Sequence, residues 1–392
     1  MSEGVTALVD AALRDRLVAL RREIHADPEL SNDEHRTAAR LEQALKELGV
    51  GDVRRIGRTG LLARVPGRKR GARVLAIRGD IDALPITEET GLPYASRNAG
   101  VMHACGHDVH ATWAVGAAAL LAREPAERDV VVLLQPAEEQ GDGALQMIAG
   151  GALDGVVAIF GGHVDRRFAV GQVVADTGPL AASADTFTIE LTGQGAHAAR
   201  PHESADPIVG AAAVVTALQT IVARRLNPAT AGVVTVGTIR AGTAANIIPG
   251  NATLAGTVRA TDPASRALML EEVGRLATGI AAAHRLTAKV SFDRDSPPIV
   301  NPPQPVAWAR EAVTSLLGAD ALVPLGTTNM AAEDFAHYME LVPGCFLRIG
   351  AREEGGEVIP AHAPKFHAAE ESIFVGAAVL AETARVAARA LL

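Results

Sequence analysis

The sequence predicts an α/β fold: a discontinuous larger domain at residues 1–182 and 296–392 built on a mostly parallel sheet, with a ferredoxin-like βαββαβ domain inserted at residues 183–295. Two observations predict the larger domain. Short apolar, β-rich runs alternate with segments of helical apolar spacing through the first third of the chain, and three of the runs lead into carboxylate or imidazole side chains. Crevices beyond the carboxyl ends of parallel strands are the usual ligand sites of open α/β sheets. A third observation predicts the insertion: from Thr186 the order becomes strand, helix, strand, strand, helix, strand.

The elements follow in order. Helical spacing runs from Val5 to Ala26 and from Thr37 to Leu48, where Gly49 closes the helix. Leu61 to Val65, Arg73 to Arg78 and Asp129 to Leu134 are strand-like, Ala111 to Arg123 is an Ala-rich buried helix, and Val156 to Gly161 is a further strand. Asp80 and Asp82 follow one strand, Glu138 and Glu139 a second, and His163 a third. In the insertion, Thr186 to Leu191, Gly232 to Arg240, Ala252 to Ala260 and Thr287 to Phe292 are predicted strands. Asp206 to Arg224 and Pro263 to His284 are predicted helices, the first capped by Asp206 with Pro207 in its first turn. The proline-rich residues 295–303 form a return linker, and Val306 to Leu392 completes the first sheet.

Composition narrows the function classes. A chain of 392 residues that is 48% hydrophobic and 21% charged suits a soluble globular protein of two domains. Its net charge of -8 argues against nucleic acid or an anionic membrane as partner. No charged N-terminal region precedes an apolar run, so no signal peptide is expected, and no uninterrupted apolar stretch reaches membrane-spanning length. A cytoplasmic location follows, in which the two cysteines, Cys105 and Cys345, stay reduced. Cys345 reads as a small buried residue.

The chemistry concentrates in Met102-His103-Ala104-Cys105-Gly106-His107-Asp108-Val109-His110, which holds a thiol, three imidazoles and a carboxylate. Thiolate and neutral imidazole are ligands for zinc and its first-row neighbours. A Cys-x-His pair alone is a weak signal. It strengthens because Gln135-Pro136-Ala137-Glu138-Glu139 follows one βα unit later, and adjacent carboxylates can divide metal binding from proton transfer. Of the twelve histidines, His107 reads as a ligand, His103 and His110 as supports, and His35, His284 and His337 as surface or capping residues. Cys105 is either a nucleophile paired with a histidine or a thiolate ligand. The acidic residues Asp80, Asp82, Asp108, Glu138 and Glu139 crowd the motif and would raise a thiol pKa unless a cation were present, which favours the ligand role. In the insertion, His197, Asn246 and Arg259 offer donors for an anionic group, beside Gly- and Pro-rich segments that alone would say only turns.

Together these segments resemble the metal-dependent amidohydrolase and carboxypeptidase family of aminoacylases and succinyl-diaminopimelate desuccinylases. The branch of hippurate hydrolases, N-acyl-amino-acid amidohydrolases and auxin–amino-acid conjugate hydrolases fits best. The resemblance spans nearly the whole chain: Arg22-x-x-His25-x-x-Pro28-Glu29-Leu30-Ser31, Asp80 to Pro85, the Cys105 motif, Gln135 to Glu139, Gly162 to Asp165, Gly193 to His202, Glu333-Asp334-Phe335 and His362-Ala363-Pro364-Lys365-Phe366.

The resemblance implies two divalent metal ions per subunit held by Cys105, His107, Glu139, His163 and His362, with Cys105 in place of a bridging carboxylate. Zinc or manganese is the expected metal, and cobalt or nickel also suits the ligand set. Glu138 is then the general base, His197 stabilises the oxyanion, Asn246 and Arg259 hold the substrate's carboxylate, and Asp80 and Asp82 orient a ligand or water. The family dimerises through the inserted lid domain and usually delivers its lid residues to the partner's site. Two positions depart from the family pattern: Ala363 replaces a serine, and His367 stands where an acid is usual. The Pro364 and Phe366 frame favours His362 over His367 as ligand. The expected substrate is an N-acyl amino acid or similar small conjugate. A metallo-dipeptidase or carboxypeptidase, a weakly active metal-holding binding protein and a thiol hydrolase are the alternatives.

Overall fold

The computed structural model describes residues 2–69, 71 and 73–392, without the side chains of 294 and 295. The chain divides into two compact units, one formed by residues up to Gly178 with Asn301–Thr327 and Asp334–Leu392, the other by Pro179–Val300 with Thr328–Glu333.

The first unit is α/β. Its seven-stranded sheet runs in the order Asp52–Ile56, Gly60–Val65, Val130–Gln135, Val74–Asp80, Val156–Ala169, Gly344–Arg352, Val173–Val174. The four central strands, Val130–Gln135 to Gly344–Arg352, are mutually parallel, and antiparallel strands close both edges. Strands buried on both faces need continuous apolar runs, and Val130–Gln135 and Val74–Asp80 are buried throughout. The helix His107–Arg123 packs against Ala11–Ala26 and Glu371–Ala390, so nearly all its length is buried. Alanines and Gly116 permit that close approach.

Three elements differ from the expectation. The helical spacing of Val5 to Ala26 is two helices, Glu3–Leu8 and Ala11–Ala26. The break falls at Asp10, whose carboxylate accepts the Leu13 N–H at 2.8 Å and starts the second helix. The helix expected from Ala111 begins at His107, because Gly106 at φ 91° turns the chain into it. The motif histidines 107 and 110 therefore share a helical turn. The strand expected at Val156 to Gly161 continues to Ala169, because its second half pairs in parallel with Gly344–Arg352. His163 lies within this strand, opposite Arg348, instead of beyond its end.

The second unit is a four-stranded antiparallel sheet in the order Gly232–Ala241, Asn251–Ala260, Ala184–Thr192, Thr287–Ser296. The helices Pro207–Thr220 and Pro263–Ala283 place Val214, Leu218, Val273 and Ala277 in one core with Phe187, Ile189 and Leu254. The chain order is the βαββαβ arrangement. Asp206 caps its helix as expected, accepting from Ile208 N–H at 2.8 Å. The expected linker instead carries the end of Thr287–Ser296 and a short strand, Ile299–Asn301. The segment Pro207–Arg225 is, by length and composition only, apolar enough to cross a membrane, with 33% of its most apolar window buried, although Thr216, Gln219 and Thr220 interrupt the apolar run. Its alanine, valine and isoleucine content on more than one face accounts for this.

Candidate active site

The strands Val74–Asp80 and Val130–Gln135 end near the Cys105 motif, and His163 reaches it from within Val156–Ala169. Cys105 Sγ lies 3.2 Å from His163 Nε2. Glu139 Oε1 lies 3.3 Å from His362 Nε2 and 3.8 Å from His107 Nε2, and Glu138 Oε2 lies 3.9 Å from His107 Nε2. Ligand atoms within 4.8 Å of one another form the groups Cys105–His107–His163, Cys105–Glu139–His362 and His107–Glu138–Glu139. Cys105 belongs to two of these groups, so one sulfur faces a bis-imidazole side and a Glu–His side.

Each side chain is held from behind. Asp82 Oδ1 lies 3.1 Å from His107 Nδ1, which sends Nε2 toward the cluster. The other Asp82 oxygen accepts the Ser31 hydroxyl at 2.7 Å and the Glu139 N–H at 3.1 Å. His163 Nδ1 donates to the Val164 carbonyl at 2.7 Å, leaving Nε2 for the cluster. His110 lies outside the donor set: Nδ1 is 2.7 Å from Asp80, and Nε2 accepts the Val164 N–H at 2.9 Å. Asp80 also bonds Arg78, which reaches Gln135 and Asp334 at 2.8 Å. Gly79 allows the strand to lie against the helix, since a Cβ there would meet the His110 carbonyl oxygen at 2.5 Å. Glu138 and Glu139 open a single turn after Ala137, which has φ 51°, and the Ala137 N–H is donated to Glu34 at 2.9 Å.

His362 stands at φ 67° in a loop, and its N–H is donated to the Ala104 carbonyl at 2.8 Å, which fixes it beside Cys105. His367 points elsewhere, with Nε2 3.2 Å from Glu353 and Nδ1 3.2 Å from the Lys365 carbonyl.

The donor set suits a cation. Burial pushes the Cys105 thiol well above its ordinary value, and Glu139 and Glu138 push the same way. Burial also drives the His163 pKa well down, whereas His107 is held well up, burial being outweighed by Asp80 and Asp82. His107 Nε2 and Glu139 Oε1 are buried without a hydrogen-bond partner. Buried polar atoms are normally satisfied, and a divalent ion satisfies this set of thiol, imidazole and carboxylate donors.

The lid residues lie in the second unit. His197 and Asn246 are adjacent: Ile247 pairs with His197, and the Ala198 N–H is donated to the Asn246 carbonyl at 3.1 Å. Arg259 is at the opposite end of Asn251–Ala260, roughly 27 Å along the strand from Asn251 at ~3.4 Å per residue. One chain therefore does not gather all three of these donors around one anionic group.

A sequence profile of peptidase family M20/M25/M40 matches residues 76–386. The chain belongs to this family. The M20 chain is 40% identical over 377 residues to the N-acetyl-L-cysteine deacetylase of Bacillus subtilis, covering 96% of this chain and 89% of that protein. It is 34% identical over 372 residues to thermostable carboxypeptidase 2 of Saccharolobus solfataricus, covering 93% of each. The solved structure of a dinuclear metal-binding M20 peptidase from Bacillus subtilis superposes with a TM-score of 0.85 at 34% identity, over 97% of this chain and 99% of that one. This M20 protein is thus a metal-dependent hydrolase of amide bonds.

The structure adds residues to the M20 motifs. Arg22, in the first motif, pairs with Glu370 and is half exposed. Its neighbour Arg21 is the buried one, bonding Asp108 at 2.7 Å, and His25 reaches the same carboxylate at 2.7 Å. Helical phase decides between adjacent arginines, and apolar spacing could have shown it. His337, expected at the surface, is 9% exposed. His103 is buried with neither ring nitrogen hydrogen-bonded, and burial holds its pKa at about 4. The unfolded chain takes up this proton below about 6.5, so stability is fully present above that pH and is lost as pH falls toward 4. Metal-free wild type should therefore lose on the order of 3 kcal/mol relative to His103→Asn across this window. Chemical denaturation at pH 7.5 and 4.5 measures it, and parallel losses in the two proteins would contradict the assignment.

Proposed function

We propose that this M20 enzyme is a binuclear amidohydrolase that cleaves the amide bond of N-acyl amino acids. The observation that carries the reading is the sharing of Cys105 Sγ between a bis-imidazole group and a Glu–His group, with Glu138 at the rim. Cys105, His107 and His163 would hold one ion, and Cys105, Glu139 and His362 the other. The pair of ions, when bound, supplies Lewis-acid polarisation of the scissile carbonyl and a water of lowered pKa. Glu138 takes the proton of the attacking water and returns it to the leaving amine. Asp82 holds the His107 tautomer and the Glu139 backbone in register.

The inserted unit serves the substrate. His197 Nδ1 accepts the Ala199 N–H at 3.1 Å, so in the neutral ring the proton resides on Nε2, a donor suited to a developing oxyanion. Asn246 and Arg259 complete the set by holding the carboxylate. Their separation within one chain is met if two chains contribute to one site. The second unit offers a surface for such a homodimer. Gly232–Ala241 is an edge strand with Val233 and Ile239 exposed, and the adjoining helix Pro207–Thr220 exposes Ile208 and Val209.

The substrate reading is tested with a panel of N-acetyl, N-benzoyl and longer N-acyl amino acids against dipeptides with a free amine, alongside metal analysis. Turnover of dipeptides alone would favour the carboxypeptidase alternative. Activity that survives chelation in metal-free buffer but not thiol alkylation would favour a thiol hydrolase. The dimer reading has its own test. Mixing inactive His197→Ala with inactive Glu138→Gln should restore about a quarter of wild-type activity per subunit at full exchange, because one of the two sites in a heterodimer receives both intact residues. Purified heterodimers without recovery would place His197 in its own chain's site or in none.

A further inference from the structure

We infer that Arg166 is a positioning residue for His362, acting as a clamp on the loop that carries it. The inference rests on the reading of His362 as a metal ligand. Arg166 lies three residues beyond His163 on the strand Val156–Ala169, and its side chain is 1% exposed. All five guanidinium N–H groups are used. Nη1 donates to Glu353 at 2.7 Å and to the His367 carbonyl at 2.9 Å, Nη2 to Glu353 at 3.0 Å and to the Glu357 carbonyl at 2.7 Å, and Nε to the Glu357 carbonyl at 3.2 Å. Glu357 and His367 lie five residues before and after His362. Between Glu353 and Glu370 the chain has no helix or strand, so no ladder of backbone hydrogen bonds sets its shape. The clamp holds its two shoulders and the His362–Ala104 bond its tip, while the Glu89 N–H bond to the Pro364 carbonyl at 2.8 Å and the buried Phe366 hold the side after His362.

The arrangement ties the two histidines to one strand. His163 sits on it directly, and His362 is held to it through a planar cation that grips one carboxylate and the carbonyls of Glu357 and His367, with the Ala351 carbonyl at 3.5 Å from Nη1. A lysine has the charge but not the fork geometry. His362 itself is half exposed and occupies a backbone conformation that non-glycine residues rarely adopt. An unclamped loop would relax from that conformation and withdraw the imidazole from Glu139.

The test is a zinc titration of the metal-free full-length enzyme against a competing chelator. Arg166→Met and Arg166→Lys should both lower affinity for one of the two ions by about 10–100-fold, as the loss of a ligand-orienting group does, and leave the other ion unchanged. His362→Ala should lose the same ion. In the His362→Ala background Arg166→Met should cost no further affinity, a non-additivity that a general structural role would not produce. Glu353→Ala keeps the carbonyl bonds, and a smaller loss at the same ion is expected, which provides the test should the Arg166 variants not fold. Wild-type zinc affinity in Arg166→Met, or in Glu353→Ala where that variant stands alone, would overturn the clamp, as would equal losses in the two backgrounds. If His362→Ala retains both ions, the ligand reading fails first, and the clamp's role falls with it.

Discussion

Glu138→Gln is expected to lower kcat by about 10²–10⁴-fold, the range a general base supplies, while zinc stoichiometry and thermal stability stay at wild-type values. The amide keeps the shape of the carboxylate and loses only its basicity. Glu139→Gln should behave differently, because Glu139 Oε1 is a buried acceptor facing His107 and His362. Its loss should appear first as reduced metal occupancy, with activity partly restored at high metal concentration. The two adjacent residues thus separate by phenotype. Steady-state kinetics with metal analysis on the same samples would read both, and exchanged phenotypes would reverse the assignment of base and ligand.

Cys105→Ala should bind metal poorly and lose nearly all activity, because the shared sulfur belongs to both donor groups. Cys105→Asp should keep part of both, since a carboxylate can also bridge two ions. The electrostatics set the contrast. Burial and the neighbouring glutamates keep the Cys105 thiol protonated in the metal-free protein, so a dication is needed to release the thiolate. A nucleophilic cysteine would make both variants inactive whatever their metal content, and isolation of an acyl-enzyme on Cys105 would exclude the ligand role.

Much of this protein is determined by the sequence alone, for a physical reason. Donors a few residues apart are placed by local geometry, and Cys105-Gly106-His107 and Glu138-Glu139 are such cases. Apolar runs with period two or 3.6 also reveal which face is buried, so the alternating first domain and the βαββαβ insertion were legible in chain order. Only the tertiary structure decided where elements begin and end when a distant partner sets them. His163 falls inside a strand because Gly344–Arg352 pairs with its second half. His107 opens a helix because Gly106 can turn at φ 91°. The Pro364 and Phe366 frame favours His362 over His367 from the sequence, but two histidines in one irregular loop carry no periodic signal of where each side chain goes. Ala104 binds the backbone of one, and Glu353 takes the side chain of the other. Arg259 is separated from His197 and Asn246 because it lies near the far end of Asn251–Ala260, whereas His197 and Asn246 sit at the separate two-stranded pairing of Ala196–His197 with Ile247–Ile248. Sequence spacing predicts contacts within one turn or one strand end, whereas contacts between residues hundreds of positions apart are set by how the elements pack.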